Sequence, residues 1–274
     1  MRIKHRFIIN SRNNGFDAVR FLEKEKIKHD DSGPFIIFEL FEDQETFEDI
    51  QKYLEPYGLL SNPPVAVYTK EEINAAQWLK IRSTWRSLYP QPDEDMNYRF
   101  STYDPANYCE KCHYGLIQKE NFVLKKEPNW GSKGFLMINW IQDELFISKK
   151  TEAFLQTSGL TGFDIYDVCN KSGRNMEGVK QIYVKNYLDY GLMPQSIAEE
   201  LHCEKCSNTI FMAQPVIYYD SKVFHNVDCD IVKTREKFGQ LTRSSLIFVT
   251  HTFYEEITKA KLDRGLLFEP VMLV

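Results

Sequence analysis

Two four-residue stretches of this chain are identical: Cys109-Glu110-Lys111-Cys112 and Cys203-Glu204-Lys205-Cys206. A C-x-x-C in a tight turn lets both sulfurs face one centre, about 2.3 Å from a zinc ion, and two such knuckles supply four thiolates. Two pairs in one chain therefore predict a tetrahedral zinc site ligated by Cys109, Cys112, Cys203 and Cys206, structural because no position stays open. A redox C-x-x-C would open a helix after a strand. Tyr114-Gly115-Leu116-Ile117 and Asn208-Thr209-Ile210-Phe211 instead look extended. Plain reduced cysteines are the remaining alternative. His113 and His202 flank the knuckles as reserve ligands, and Cys169 and Cys229 read as small buried hydrophobes.

The spacing between the knuckles sets the architecture. Residues 113–202 separate them, where a compact zinc ribbon would have about 15–20. Either a subdomain is inserted or each knuckle belongs to one half of a duplicated fold. Downstream of each knuckle the pattern recurs. Leu145-Phe146-Ile147-Ser148 and Ile247-Phe248-Val249-Thr250 are strand-like and end in a hydroxyl that caps a helix. Short amphipathic stretches follow, Thr151 to Ser158 and Phe253 to Lys261. Each then reaches a glycine, Gly162 or Gly265, and a second strand. The fold expected is α/β or α+β, with a duplicated strand–helix–strand part joined by the four-cysteine zinc site.

Upstream, residues 1–60 read as two strand–helix units. Arg6 to Ile9 and Phe35 to Phe41 are the strands; Phe16 to Lys28 is one helix, and Asp43 caps a second, acidic one carrying Phe47, Ile50 and Leu54. Pro63-Pro64 marks a joint. Thr69-Lys70-Glu71-Glu72 is a capping box, and Trp78, Ile81, Trp85 and Leu88 continue it as one apolar helical stripe. The domains expected are residues 1–62, a connecting helix and linker at 63–104, and the double-C-x-x-C part at 105–274, with halves at about 105–180 and 181–274.

Composition narrows the function. The chain has 274 residues, 43% hydrophobic and 27% charged, and a net charge of −5. It has the makings of a core, and it lacks the basic field that makes a dedicated nucleic-acid binder. No apolar run approaches the ~20 residues of a membrane span. The charged start Met1 to Arg6 and the short Phe7-Ile8-Ile9 do not make a signal peptide, so a cytoplasmic protein is expected. No phosphate-binding glycine loop, H-E-x-x-H or G-x-S-x-G occurs, so no catalytic residue is assigned. His225, Asp228 and Asp230, with Cys229, form the densest reactive cluster. Trp130-Gly131-Ser132-Lys133-Gly134 reads as a hairpin turn, and Asp143-Glu144 as neighbours on opposite strand faces.

The paired C-x-x-C motifs, the strand–Ser/Thr–helix–Gly–strand segments and the run Asp230 to Thr234 continuing to Phe238-Gly239 resemble the double-CXXCG-motif proteins of bacteria, over about residues 105–274. That resemblance implies an immunity-type protein: non-catalytic, binding a protein partner such as a cognate toxin, with Cys109, Cys112, Cys203 and Cys206 as ligands. The acid-rich helix within 42–55 suits a basic partner surface. The alternative is an enzyme or small-ligand binder with a pocket between the duplicated halves, where His225, Asp228, Asp230 and Lys233 are the polar candidates.

Overall fold

In the computed structural model, which describes residues 1–12, 15–239 and 243–274, the chain begins with β1 (Arg2–Asn10), α1 (Gly15–Lys24), β2 (His29–Asp30), β3 (Phe35–Phe41), α2 (Phe47–Leu54), β4 (Leu60–Ser61) and β5 (Val65–Val67). These lie in one of two compact units, Met1–Glu72 with Gln214–Val216. β1 is the sheet's hub, antiparallel to β3, β4 and β5, and β2 pairs with the far edge of β3. Alternation explains the strands. Phe7 and Ile9 on β1, and Ile36, Phe38 and Leu40 on β3, are buried and share one face. The two helices bury i, i+4 pairs against it, Ala18 and Leu22 from α1, Ile50 and Leu54 from α2. Asp43 does not cap α2. The helix starts at Phe47 without a side-chain cap, and both Asp43 oxygens instead accept from the Arg2 guanidinium at 2.8 Å.

The capping box at Thr69 forms as expected, with Glu72 N–H to Thr69 Oγ1 at 3.2 Å and Thr69 N–H to Glu72 Oε2 at 2.8 Å. The helix it opens, α3 (Lys70–Ala75), is short. The expected connecting helix through Leu88 is corrected here: Trp78–Ser83 is a strand, β6. Leu79, Ile81 and Ser83 are buried while Lys80 and Arg82 are partly exposed, a period of two. Trp78 is buried too, at the strand's first position, in a different cluster from Leu79 and Ile81. Leu88 has a φ of +64°, a left-handed conformation that does not occur within an α-helix.

The second unit, Ile73–Ala213 with Ile217–Val274, continues from β6 through α4 (Tyr98–Ser101), β7 (Tyr103–Asp104), β8 (Ile117–Gln118), β9 (Val123–Leu124), β10 (Phe135–Leu136), β11 (Leu145–Ser148), α5 (Lys149–Leu155), β12 (Phe163–Asn170) and β13 (Asn175–Val184). It ends with β14 (Ile197–His202), β15 (Thr209–Ala213), β16 (Ile217–Tyr219), β17 (Ile231–Lys233), β18 (Ile247–Thr250), α6 (His251–Lys259) and β19 (Leu266–Leu273).

Of these strands, β7 with β8 and β14 with β15 form two-stranded sheets, and the other ten form two five-stranded sheets with one pairing scheme. The first is ordered β10-β11-β13-β12-β9 and the second β17-β18-β6-β19-β16. In each the first three pairings are antiparallel and the last is parallel. Each sheet contains a split strand–helix–strand: β11 and β12, or β18 and β19, run parallel with one antiparallel strand between them. The helices begin where the hydroxyls predict. Ser148 Oγ accepts from Thr151 N–H at 3.3 Å, and Thr250 Oγ1 from Phe253 N–H at 3.2 Å. The source of the central strand differs. β13 follows β12, whereas β6 precedes the entire first sheet. One core joins both sheets and both helices, including Ile81, Ile147, Leu155, Ile182, Val249 and Phe253. No helix among the described residues is long and apolar enough to cross a membrane.

Candidate metal centre

Each knuckle caps a two-stranded hairpin: the first lies between β7 and β8, the second between β14 and β15. Their backbones match. Cys109 N–H donates to Tyr114 O at 2.8 Å and His113 N–H to Cys109 O at 2.7 Å; Cys203 N–H donates to Asn208 O at 3.0 Å and Ser207 N–H to Cys203 O at 2.8 Å. The residue after each second cysteine is left-handed, with φ of 60° at His113 and 58° at Ser207. Glycine tolerates that conformation at no steric cost, so both side chains are held there by the turn.

The hairpins bring like to like. Cys109 Sγ lies 3.8 Å from Cys203 Sγ, and Cys112 Sγ lies 3.4 Å from Cys206 Sγ. All four sulfurs fall within 4.8 Å of one another. None is in a disulfide, and Cys109, Cys112 and Cys203 are buried. The charged residues between the cysteines cross over: Lys111 bonds Glu204, and Lys205 lies 3.5 Å from Glu110. These pairs are exposed and contribute little to stability. They do explain why the middle residues are the same in both knuckles, since a two-fold arrangement makes each Lys face the other's Glu.

Backbone N–H groups point at the sulfurs. The N–H groups of Cys206 and Lys205 lower the Cys203 thiol. The Asn208 N–H and its amide, 3.3 Å away, pull Cys206 down to about 6. Burial pushes Cys112 up to about 12. Such a set, part thiolate and part buried thiol, fits a cation that supplies the missing positive charge. The group can hold one metal ion. The reserve ligands do not join it: His113 Nδ1 lies 2.5 Å from Tyr108 Oη, and His202 Nδ1 lies 3.0 Å from Thr209 Oγ1.

Beside the first knuckle lies a cavity of about 130 Å³. Residues from both sheets' segments line it, including Tyr98, Tyr103, Asp143, Glu144, Tyr187 and Lys233. Of the four polar candidates named for such a seam, only Lys233 reaches it. His225 and Asp228 are exposed. Asp230 is occupied by Thr161 N–H at 2.9 Å and Thr250 Oγ1 at 2.8 Å, a structural role. Cys229 is buried beside Asn186, whose amide lies 3.2 Å from its sulfur. Asp143 and Glu144 do not diverge as strand neighbours. The chain bends at Asp143 before β11 begins, so both line the cavity.

Lys233 and Glu144 form a buried ion pair, with side chains 3% and 8% exposed. Glu144 Oε2 also accepts from Gln181 Nε2 at 3.0 Å, and Gln181 exchanges two hydrogen bonds with Gln118. Burial alone would drive the Lys233 proton off, but Glu144 and Asp143 outweigh it and hold the ammonium above its ordinary value. Sequence reading did not find this pair, because 89 positions separate its members. Trp130 to Gly134 forms the expected turn, with Lys133 N–H donating to Trp130 O at 3.0 Å. In comparisons with known proteins, no family model and no curated protein matches this chain.

Proposed function

We propose that the chain is a non-catalytic binding protein whose larger unit is a duplicated scaffold clamped by one zinc ion. The observation that carries this reading is the convergence of two identical knuckles on one cluster, sulfur with matching sulfur, at 3.8 and 3.4 Å. Ligands about 2.3 Å from zinc at tetrahedral angles stand about 3.8 Å apart. Bound there, zinc would supply positive charge and cross-link the hairpins, with its binding energy added to folding. Four protein thiolates fill its coordination sphere, which makes the site structural.

Duplication is supported by the shared pairing scheme of the two sheets, the two matching helix caps and the knuckles placed upstream of each sheet's parallel edge strand. On this reading the second copy is permuted: the strand equivalent to β13 has moved upstream and become β6. The partner we infer is a protein of immunity-type recognition, a toxin, met in the cytoplasm. Glu45, Glu48, Asp49 and Glu55 at α2 are exposed, which suits a basic surface.

Native mass spectrometry on protein purified without added zinc or chelator tests the clamp. One zinc per chain is expected, and Cys109→Ser and Cys206→Ser should each remove the same ion. Two independent ions, or none with four freely titrating thiols, would overturn it. The partner reading is tested separately, by rescue of cells that express a toxin encoded beside the gene. Failure of zinc-loaded protein to rescue would remove the immunity role and leave the clamp standing.

A further inference from the structure

We propose that the cavity beside the first knuckle binds a small carboxylate whose apolar part is no larger than a phenyl ring. The proposal goes beyond the zinc clamp and uses none of the cysteines.

The cavity's polar groups are unevenly spent. Each of its carboxylates already faces a cation of the protein. Glu144 accepts from Lys233 and Gln181; Asp143 accepts from Ser245 N–H at 3.1 Å and lies 3.7 Å from Lys237. The donors are not. The Lys233 ammonium has three N–H groups, and among the described residues only Glu144 takes one. Tyr103 is 9% exposed and its hydroxyl has no hydrogen-bond partner among the described residues. The hydroxyls of Tyr183 and Tyr187 are likewise unpartnered there. Burial pushes the Tyr103 hydroxyl above its ordinary range, so it remains a donor at neutral pH.

Charge points the same way. Arg99, Lys233, Lys237 and Arg243 line the cavity against Asp143 and Glu144. An amine would find Asp143 Oδ1 as its acceptor, but four cations outnumber the two carboxylates in the lining. An acid meets tyrosine hydroxyls that no described protein group engages, and its bond to the Lys233 ammonium is charge-assisted. Shape selects among acids. The rings of Tyr98, Tyr103 and Trp140 make aromatic walls, with Tyr98 and Trp140 stacked at 5.8 Å. A dry engineered cavity of about 150 Å³ takes benzene, so about 130 Å³ with an open rim at exposed Ile117 takes a phenyl body with its carboxylate on the donors.

Titration of the metal-assayed full chain with benzoate, followed by Trp fluorescence, tests this. Saturable binding is expected, with benzamide at least tenfold weaker because it lacks the charge. Tyr103→Phe and Tyr187→Phe should each weaken benzoate about fivefold, the loss of one hydrogen bond of roughly 1 kcal/mol. Tyr187 is 47% exposed, so its variant is the one that keeps the fold if Tyr103→Phe does not. Absence of saturable benzoate binding by folded protein overturns the proposal. So does equal affinity for benzamide, indifference to both tyrosine variants, or displacement of benzoate by equimolar inorganic phosphate.

Discussion

Removing the Lys233 ammonium leaves Glu144 buried at 8% exposure with a single protein donor, Gln181 Nε2. Breaking a buried pair from one side costs about 3–5 kcal/mol, so Lys233→Met should destabilise the second unit by about that much at pH 8. The stranded carboxyl has one escape, which is to bind a proton. Burial already holds its folded-state pKa above the ordinary carboxyl value with Lys233 in place, and loss of the ammonium raises it further above the unfolded value near 4.3. A group raised on folding keeps its stability below the unfolded pKa and loses it as pH rises through the folded one. The Lys233→Met penalty should therefore shrink by about 1.4 kcal/mol per pH unit on acidification, until pH falls to the unfolded value. Glu144→Gln strands the ammonium instead, and its penalty should shrink as pH rises. The double variant should recover most of either loss, because a buried pair replaced as a whole is close to neutral. Urea unfolding followed by tryptophan emission at pH 5, 7 and 9 reads this directly. All four tryptophans, Trp78, Trp85, Trp130 and Trp140, lie in the second unit. A double variant as unstable as Lys233→Met, or single variants with pH-independent penalties, would refute the reasoning.

Other outcomes follow from the same structure. Gly162→Ala should cost at least about 2 kcal/mol, checked by urea unfolding. Its φ is +99°, unfavourable for alanine, and the new Cβ would lie 2.5 Å from Ile231 O. Ser148→Ala and Thr250→Ala should each cost about 1 kcal/mol, the worth of a helix cap, by thermal unfolding. Chelation should lower the tryptophan-reported midpoint, and added zinc at 1,000 times its dissociation constant should restore about 4 kcal/mol. A midpoint unmoved by chelator would remove the metal from the fold's stability.

The sequence was informative where chemistry repeats locally. The identical knuckles, the capping hydroxyls Ser148 and Thr250, the capping box at Thr69 and the apolar strand run 35–41 are each read within a few residues, and each forms. It misled where two periods overlap. Trp78 and Ile81 satisfy a spacing of three, yet Leu79, Ile81 and Ser83 satisfy a spacing of two, and pairing with β18 and β19 decides between them. It was silent where the partner is remote. Lys233 was visible as a candidate, but nothing near it in sequence points to Glu144. His225 and Asp228 are close in sequence to reactive neighbours and remain on the surface, because adjacency along a chain does not imply convergence in space.

The placement of β6 has a consequence for how the protein comes off the ribosome. β6 emerges before any strand of the first sheet, yet both of its hydrogen-bonding neighbours, β18 and β19, are synthesised after that sheet is complete. Throughout that interval an apolar strand with two open edges must stay unpaired while the first sheet assembles downstream of it. Such a segment is exposed to wrong partners for as long as translation takes. A nascent chain stalled before Ile247 would carry β6 without the strands that cover it, and is the form on which chaperones would be expected to act.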